Sequence, residues 1–342
     1  AANSSWLGLG LCDECGILGG ELGTPWKLSD AVLGECKKFD FGGWTEFGYS
    51  NKSDGVFETH PHHFDLQQLN MFVEKLADGS EGWGWGGRVD VMYGTDAQNT
   101  QSFGNHAHRF DYLQSDFNHG VYGWAIPQLY AEVAHENLSV KVGHFYTLLG
   151  YQVVPATGNF FYSIPFTFNF GEAFTHTGAL ATYKASDTVT VYGGYTLGWD
   201  TGFDQLHGGS NFLGGSSVKV TDSLTATFIT TIGNLGWIGE GYSHSLVLDW
   251  VINDKWEYVF QSDTLRTNRN PYQAAGDKFD TVGVNQYLYY TFCPKLKAGG
   301  RVEWWKADGT SYQEITGGFN IMPTANLRIR PEVRYQWSPG GA

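Results

Sequence analysis

An all-β chain folded as a transmembrane, antiparallel, up-and-down β-barrel of about 16 strands is the fold class the sequence predicts, on three observations. Composition comes first: the 342 residues include 46 Gly, 16% aromatic and only 16% charged side chains, with 3 Met and 10 Pro. That balance suits many strands and turns and is unlike a helical enzyme. Second, no apolar run approaches the roughly 18 to 20 residues that a spanning helix requires. Third, from Phe39 onward one segment after another sets apolar against polar or small residues. Alternation over about ten residues is the mark of a strand with one face in lipid and the other in water.

Residues 1–38 are Gly-rich and lack alternation. Thr24-Pro25-Trp26 followed by Leu28, Ala31, Val32 and Leu33 predicts one short capped helix there. The small residues Ala1 to Ser5 fit a chain start left by removal of a secretory signal. Two units are therefore expected, a periplasmic N-terminal segment over 1–38 and a barrel over 39–342.

Strands are expected at 39–49, 65–76, 82–93, 123–134, 138–147, 174–184, 188–198, 210–220, 223–233, 243–252, 255–266, 279–292, 295–306, 311–322 and 325–337. Tight turns such as His135-Glu136-Asn137, Thr221-Asp222-Ser223, Asn253-Asp254 and Pro323-Thr324 alternate with long connections at 50–64, 94–122, 148–173, 199–209, 234–242 and 267–278. Outer-membrane barrels use short periplasmic turns and long outer loops in this way, and a soluble sandwich does not. An even count would then require a sixteenth, inward strand after Trp337.

One face of these strands carries Trp and Tyr near segment ends (Tyr49, Trp83, Tyr93, Tyr183, Tyr195, Trp256, Trp337), where amphipathic rings suit the headgroup level. The other carries charged and amide side chains that cannot be packed dry without partners, and about sixteen strands leave an aqueous channel. A passive route for small hydrophilic solutes or ions is thus expected. Arg328, Arg330 and Arg334 share a face beside Arg301 and Lys297, predicting a basic wall that Arg88 extends, with Lys141 a further pore-lining cation. Glu46, Glu74, Asp90, Glu132, Glu257, Asp263 and Glu303 supply carboxylates. Cross-strand neutralisation that only stiffens the wall is the competing reading. The connection 148–173 is aromatic and nearly uncharged, with Glu172 its one acid. It is expected to fold into the lumen as a constriction, or else to pack on a neighbouring protomer.

Gly43-Trp44-Thr45-Glu46-Phe47-Gly48-Tyr49, the stretch from Val142 to Tyr151, the run Phe170-Gly171-Glu172-Ala173-Phe174-Thr175-His176-Thr177-Gly178 and Arg330-Pro331-Glu332-Val333-Arg334-Tyr335 together resemble the β-barrel porin-2 (OmpL-like) family of bacterial outer-membrane proteins. The resemblance implies an outer-membrane porin, a constriction loop ahead of Phe174, and homotrimers by analogy with general porins. Its partners would be the lipid bilayer with a lipopolysaccharide-type outer leaflet, and the solutes.

Four cysteines, Cys12, Cys15, Cys36 and Cys293, are disulfide candidates in the oxidising periplasm. Cys36–Cys293 with Cys12–Cys15 is one of three pairings; a crossed pairing would tie the N-terminal segment to the barrel base. A four-cysteine metal site is the alternative. His60, His62, His63, His106 and His108 read as solvated loop residues. No cofactor is expected. The chain shows no GxSxG, HExxH or Walker pattern, so an enzyme is not expected, and its net charge of −14 opposes nucleic-acid binding. A structural barrel that sheathes or anchors an envelope or electron-transfer partner is the rival to a pore.

Overall fold

A computed structural model describes residues 12, 18–34, 38–112, 120–269, 271 and 278–339. Among them the strands are β1 (Asp40–Tyr49), β2 (Phe64–Lys75), β3 (Gly84–Gly94), β4 (Gly123–His135), β5 (Leu138–Tyr146), β6 (Thr175–Lys184), β7 (Val189–Trp199), β8 (Ser210–Lys219), β9 (Leu224–Asn234), β10 (Glu240–Val251), β11 (Trp256–Thr267), β12 (Phe279–Cys293), β13 (Leu296–Ala307), β14 (Thr310–Thr324), β15 (Leu327–Ile329) and β16 (Glu332–Trp337). Each pairs antiparallel with its sequence neighbour in one continuous sheet, except that β16 pairs with β14.

β15 and β16 are one run in two pieces. Ile321 faces Ile329 and Gly318 faces Glu332 in a single register, and the break falls at Arg330-Pro331. Proline has no N–H to give the ladder, so the unbroken strand expected over 325–337 is corrected to two short ones. The final turn is also displaced: β14 continues through Pro323 and Thr324, and Ala325-Asn326 makes the turn.

Burial is inverted relative to a soluble protein. Met71, Val142, Phe228, Ile232, Val302, Ile315 and Val333 are exposed on the outer face, while Asn70, Asp90, Gln261, Asn285, Arg301 and Glu314 are buried on the inner one. A sandwich would hide the first set between two sheets; here the apolar set can be covered only by lipid. Tyr49, Trp83, Tyr183, Tyr195, Trp256 and Trp337 are exposed near strand ends on that outer face.

By parity the run β15–β16 points the same way as β1, and among the described residues no ladder joins them; the expected sixteenth run is not among these residues. Side chains bring the two ends together: Arg330 pairs with Glu46 of β1, and Arg334 reaches Asp54 just beyond β1 at 2.9 Å. At the short-turn end, helix α1 (Leu28–Leu33) packs on β1. It follows Lys27 without a side-chain cap, so Thr24 is not the cap that the sequence suggested.

Candidate functional site

The residues between β5 and β6 fold into the lumen. They have little regular structure, a 3-10 turn over Ala156–Gly158 and the helix α3 (Phe166–Gly171), so their aromatic side chains must find cover elsewhere. Phe166 packs with Trp305 of β13 and Phe168 with Phe174, while Phe161 joins Val247, Val259, Tyr287 and Tyr289 on the inner wall. Burying each such ring is worth about 1.5–3 kcal/mol, which accounts for an apolar cluster inside a polar lumen. The first outer loop sends Phe57 into the same packing, against Phe168 and Phe174. The next loop adds Ala97 of the short helix α2 (Ala97–Thr100).

Close approach is built into the wall by glycine. A Cβ at Gly299 of β13 would stand 2.5 Å from the Phe160 ring, and one at Gly283 of β12 would stand 2.2 Å from the Thr167 hydroxyl.

The polar groups of the loop are met by charged side chains of the strands. Glu303 accepts the N–H of Phe166 and of Thr167, both at 2.7 Å. Glu332 accepts those of Tyr162 at 2.7 Å and Ser163 at 3.0 Å. Arg301 donates to the carbonyl of Ser163 at 2.7 Å and to Glu314 at 3.1 Å. Arg330 Nη1 lies 3.1–3.2 Å from the carbonyls of Ala156, Asn159 and Phe161. Arg334 donates to Ile164 O at 2.7 Å, and Arg328 to Thr157 O at 3.2 Å. Arg301, Arg328, Arg330 and Arg334 do share the inner face, but as clamps on the loop; Arg301 has no exposed surface at all. The four arginines expected as a basic wall thus also hold the loop, and Arg328 remains exposed while doing so. Glu46 is occupied by Arg330, and Glu172 is buried against Gln261 at 2.6 Å.

Arg88 does not extend the arginine group. It pairs with Glu74 at 3.3 Å and Asp90 at 2.6 Å on β2 and β3. Beside it, Glu132 of β4 stands opposite Lys141 of β5, and Lys141 lies 4.1 Å over the Tyr130 ring. Across the lumen, Asp249, Glu257 and Lys297 occupy inner positions of β10, β11 and β13. Arg88, Glu74, Glu132, Lys141, Asp249, Glu257 and Lys297 are all half-buried, whereas Arg301, Glu303 and Glu314 beside the loop are buried.

Two supporting residues were not anticipated. Asp200, just past β7, accepts the N–H of Phe174 at 2.7 Å and of Thr175 at 3.1 Å through one oxygen. Burial pushes its carboxyl up to about 7 although both hydrogen bonds oppose this. Gln68 of β2 accepts the N–H of Ala156 at 3.1 Å and donates to Val154 O at 2.8 Å. Its inward place in the alternation was the only signal, and alternation does not name a partner.

Cys12 is bonded to Cys293, the crossed arrangement; Cys15 and Cys36 lie outside the described residues. Among the described residues no group of three or more His, Cys, Asp and Glu is placed to hold a metal.

The family described as "Putative beta-barrel porin-2, OmpL-like" matches residues 38–342. A search of curated protein sequences finds no match. Among solved structures, the fold is similar to the anion-selective porin from Comamonas acidovorans, at TM-score 0.59 and 11% identity over 88% of both chains. It is similar also to the outer membrane channel DcaP of Acinetobacter baumannii, at 0.56 and 11% over 89% of this chain and 93% of that one. OmpT of Vibrio cholerae in its trimer form gives 0.56 and 12% over 88% of each. With the family matched across the whole sheet, and the sheet inverted as a bilayer demands, the chain belongs to the β-barrel porin-2 (OmpL-like) family and is a porin of the bacterial outer membrane.

Proposed function

We propose that small hydrophilic solutes or ions cross the barrel passively, without a catalytic step, past the half-buried charges Arg88, Glu74, Glu132, Lys141, Asp249, Glu257 and Lys297. The observation that carries this reading is the division of labour on the inner wall. The charges beside the constriction loop are hydrogen-bonded to its backbone, whereas these seven are half-buried on inner positions, where Arg88 pairs and Lys141 stacks with the wall. Charged rings in a narrow lumen set which ions pass. The residues over 39–342 form the conducting barrel and those over 1–38 a periplasmic segment. A homotrimer in a bilayer with a lipopolysaccharide outer leaflet is the assembly we assign, supported by the trimer form of OmpT.

Reconstitution of the purified protein into planar bilayers tests the reading. Stepwise, ohmic conductance with a reversal potential that moves when Glu132 or Lys141 is neutralised is the expected result. Folded protein that inserts yet never conducts would refute it, and would favour a structural barrel.

A further inference from the structure

The family match begins at residue 38, yet the chain before it is fastened to the barrel at several separate places. Cys12 is bonded to Cys293, the last residue of β12 and 281 positions along the chain. In the turn that follows, Lys295 Nζ donates to Gly19 O at 2.9 Å, and the neighbouring Leu18 is buried. Farther on, Trp26 and Asn326 exchange two hydrogen bonds. The Trp26 N–H donates to Asn326 Oδ1 at 2.7 Å, and Asn326 Nδ2 donates to Trp26 O at 2.9 Å. Asn326 lies in the turn between β14 and β15. Finally α1 packs on β1, where the fully buried Ser29 hydrogen-bonds Asp40.

The order of these anchors is informative. They run from the β12–β13 turn, past the β14–β15 turn, to β1. The segment thus crosses the short-turn end from the late strands to the first one, over the place where no ladder joins the two ends among the described residues. Unpaired strand edges are costly in a bilayer, and a cross-brace at the rim restrains them from parting.

We propose that residues 18–34 form a periplasmic strap holding the two ends of the sheet together, with the Cys12–Cys293 disulfide as its latch. An external dithiol opens the latch in a two-electron exchange. Its thiolate attacks one sulfur to form a mixed disulfide, and its second thiol resolves that, leaving two protein thiols and an oxidised dithiol. The remaining anchors are hydrogen bonds near the rim, so the latched and unlatched proteins differ in how firmly the ends are held.

Amide hydrogen exchange on the full chain, folded in detergent micelles and then reduced, tests the proposal without reference to conductance. Reduction is expected to speed exchange at 40–49 and 327–337 by about thirtyfold or more, a factor at the low end of what a loop-closing disulfide contributes. Amides of β6 to β9 should stay within twofold. Cys12→Ser should reproduce the change and be insensitive to dithiol, and Asn326→Ala should give a smaller change at the same strands in the oxidised protein. Unchanged exchange at the two ends once mass spectrometry shows the bond broken would overturn the proposal. So would equal acceleration in every strand, or a peptide map joining Cys293 to another cysteine. Should Cys12→Ser fail to fold, the reduced wild-type protein alone decides.

Discussion

Removing the carboxylate of Glu303 should release the constriction loop without unfolding the barrel. α3 begins after Pro165, which has no side-chain oxygen to accept the free N–H groups of a first helical turn and makes no side-chain cap hydrogen bond. Glu303 supplies the acceptor from β13. One oxygen takes the Phe166 N–H at 2.7 Å; the other takes the Thr167 N–H at 2.7 Å and its hydroxyl at 2.6 Å. Thr167 and Glu303 are each 1% exposed, so water cannot replace the lost acceptor. A buried donor left unsatisfied costs about 1–3 kcal/mol, and Glu303→Ala strands two backbone donors, so the docked loop should lose about 2–6 kcal/mol by this rule. The ladders are untouched, hence the loss stays local. Exchange at the amides of Phe166 and Thr167 should rise at least about thirtyfold, since 1.4 kcal/mol corresponds to a factor of ten, and single-channel steps should become larger and noisier. Glu303→Gln should fall between, because its amide nitrogen turns a donor toward one of the two N–H groups. Protection of both amides within twofold of wild type in Glu303→Ala would refute the reasoning, as would equal loss in every strand.

Gly299→Val should displace the loop by overlap with Phe160, costing about 1–3 kcal/mol of thermal stability, and Phe160→Ala in the same chain should recover part of it; scanning calorimetry checks both. Asp200 has a carboxyl that titrates near 7 when folded against an ordinary 3.8. The native state therefore holds the proton more tightly, and this stabilisation is complete below about pH 4 and lost as pH rises toward 7. Asp200→Asn keeps the accepting oxygen but cannot ionise, so exchange at Phe174 and Thr175 should lose its pH dependence across that window. Glu132→Lys sets like charges opposite one another on β4 and β5, and should move the reversal potential in a KCl gradient toward anions. Arg330→Lys keeps the charge but cannot present a planar fork to three carbonyls. Faster exchange of loop amides with an unchanged reversal potential is expected; the opposite pattern would restore Arg330 to the pore wall.

Strand positions were legible because the bilayer tests every residue of a spanning strand, so the alternation carries the boundaries. The expected 210–220 is Ser210–Lys219, and the expected 123–134 is Gly123–His135. Pro331 was visible in the same text but was absorbed into an alternating run, since its neighbours Ile329 and Val333 keep the parity. The inward fold of 148–173 was legible for a related reason: seven aromatic side chains with a single acid have no stable place in water. The disulfide was not. Its partners are 281 residues apart, and nothing in the text distinguishes Cys12 from Cys36 as the partner of Cys293.

The arginines show where such reading stops. Alternation states that Arg328, Arg330 and Arg334 point inward, and an inward arginine in a barrel is most simply a wall charge. Yet a loop brought into the lumen carries backbone carbonyls that its sparse helical turns leave without donors, and each buried carbonyl needs one. The guanidinium, with five donors in a fixed fork and a charge that cannot be removed, is the side chain able to serve several at once, as Arg330 does for Ala156, Asn159 and Phe161. The need for those donors arises in residues 156–164, about 170 positions before the strand that meets it. The same inward-pointing charge is therefore a clamp or a filter according to whether a loop lies against it. The proposed filter rests on Arg88, Glu74, Glu132 and Lys141 of β2–β5 and on Asp249, Glu257 and Lys297, not on Arg301 and Glu303 of the same β13, which the loop claims.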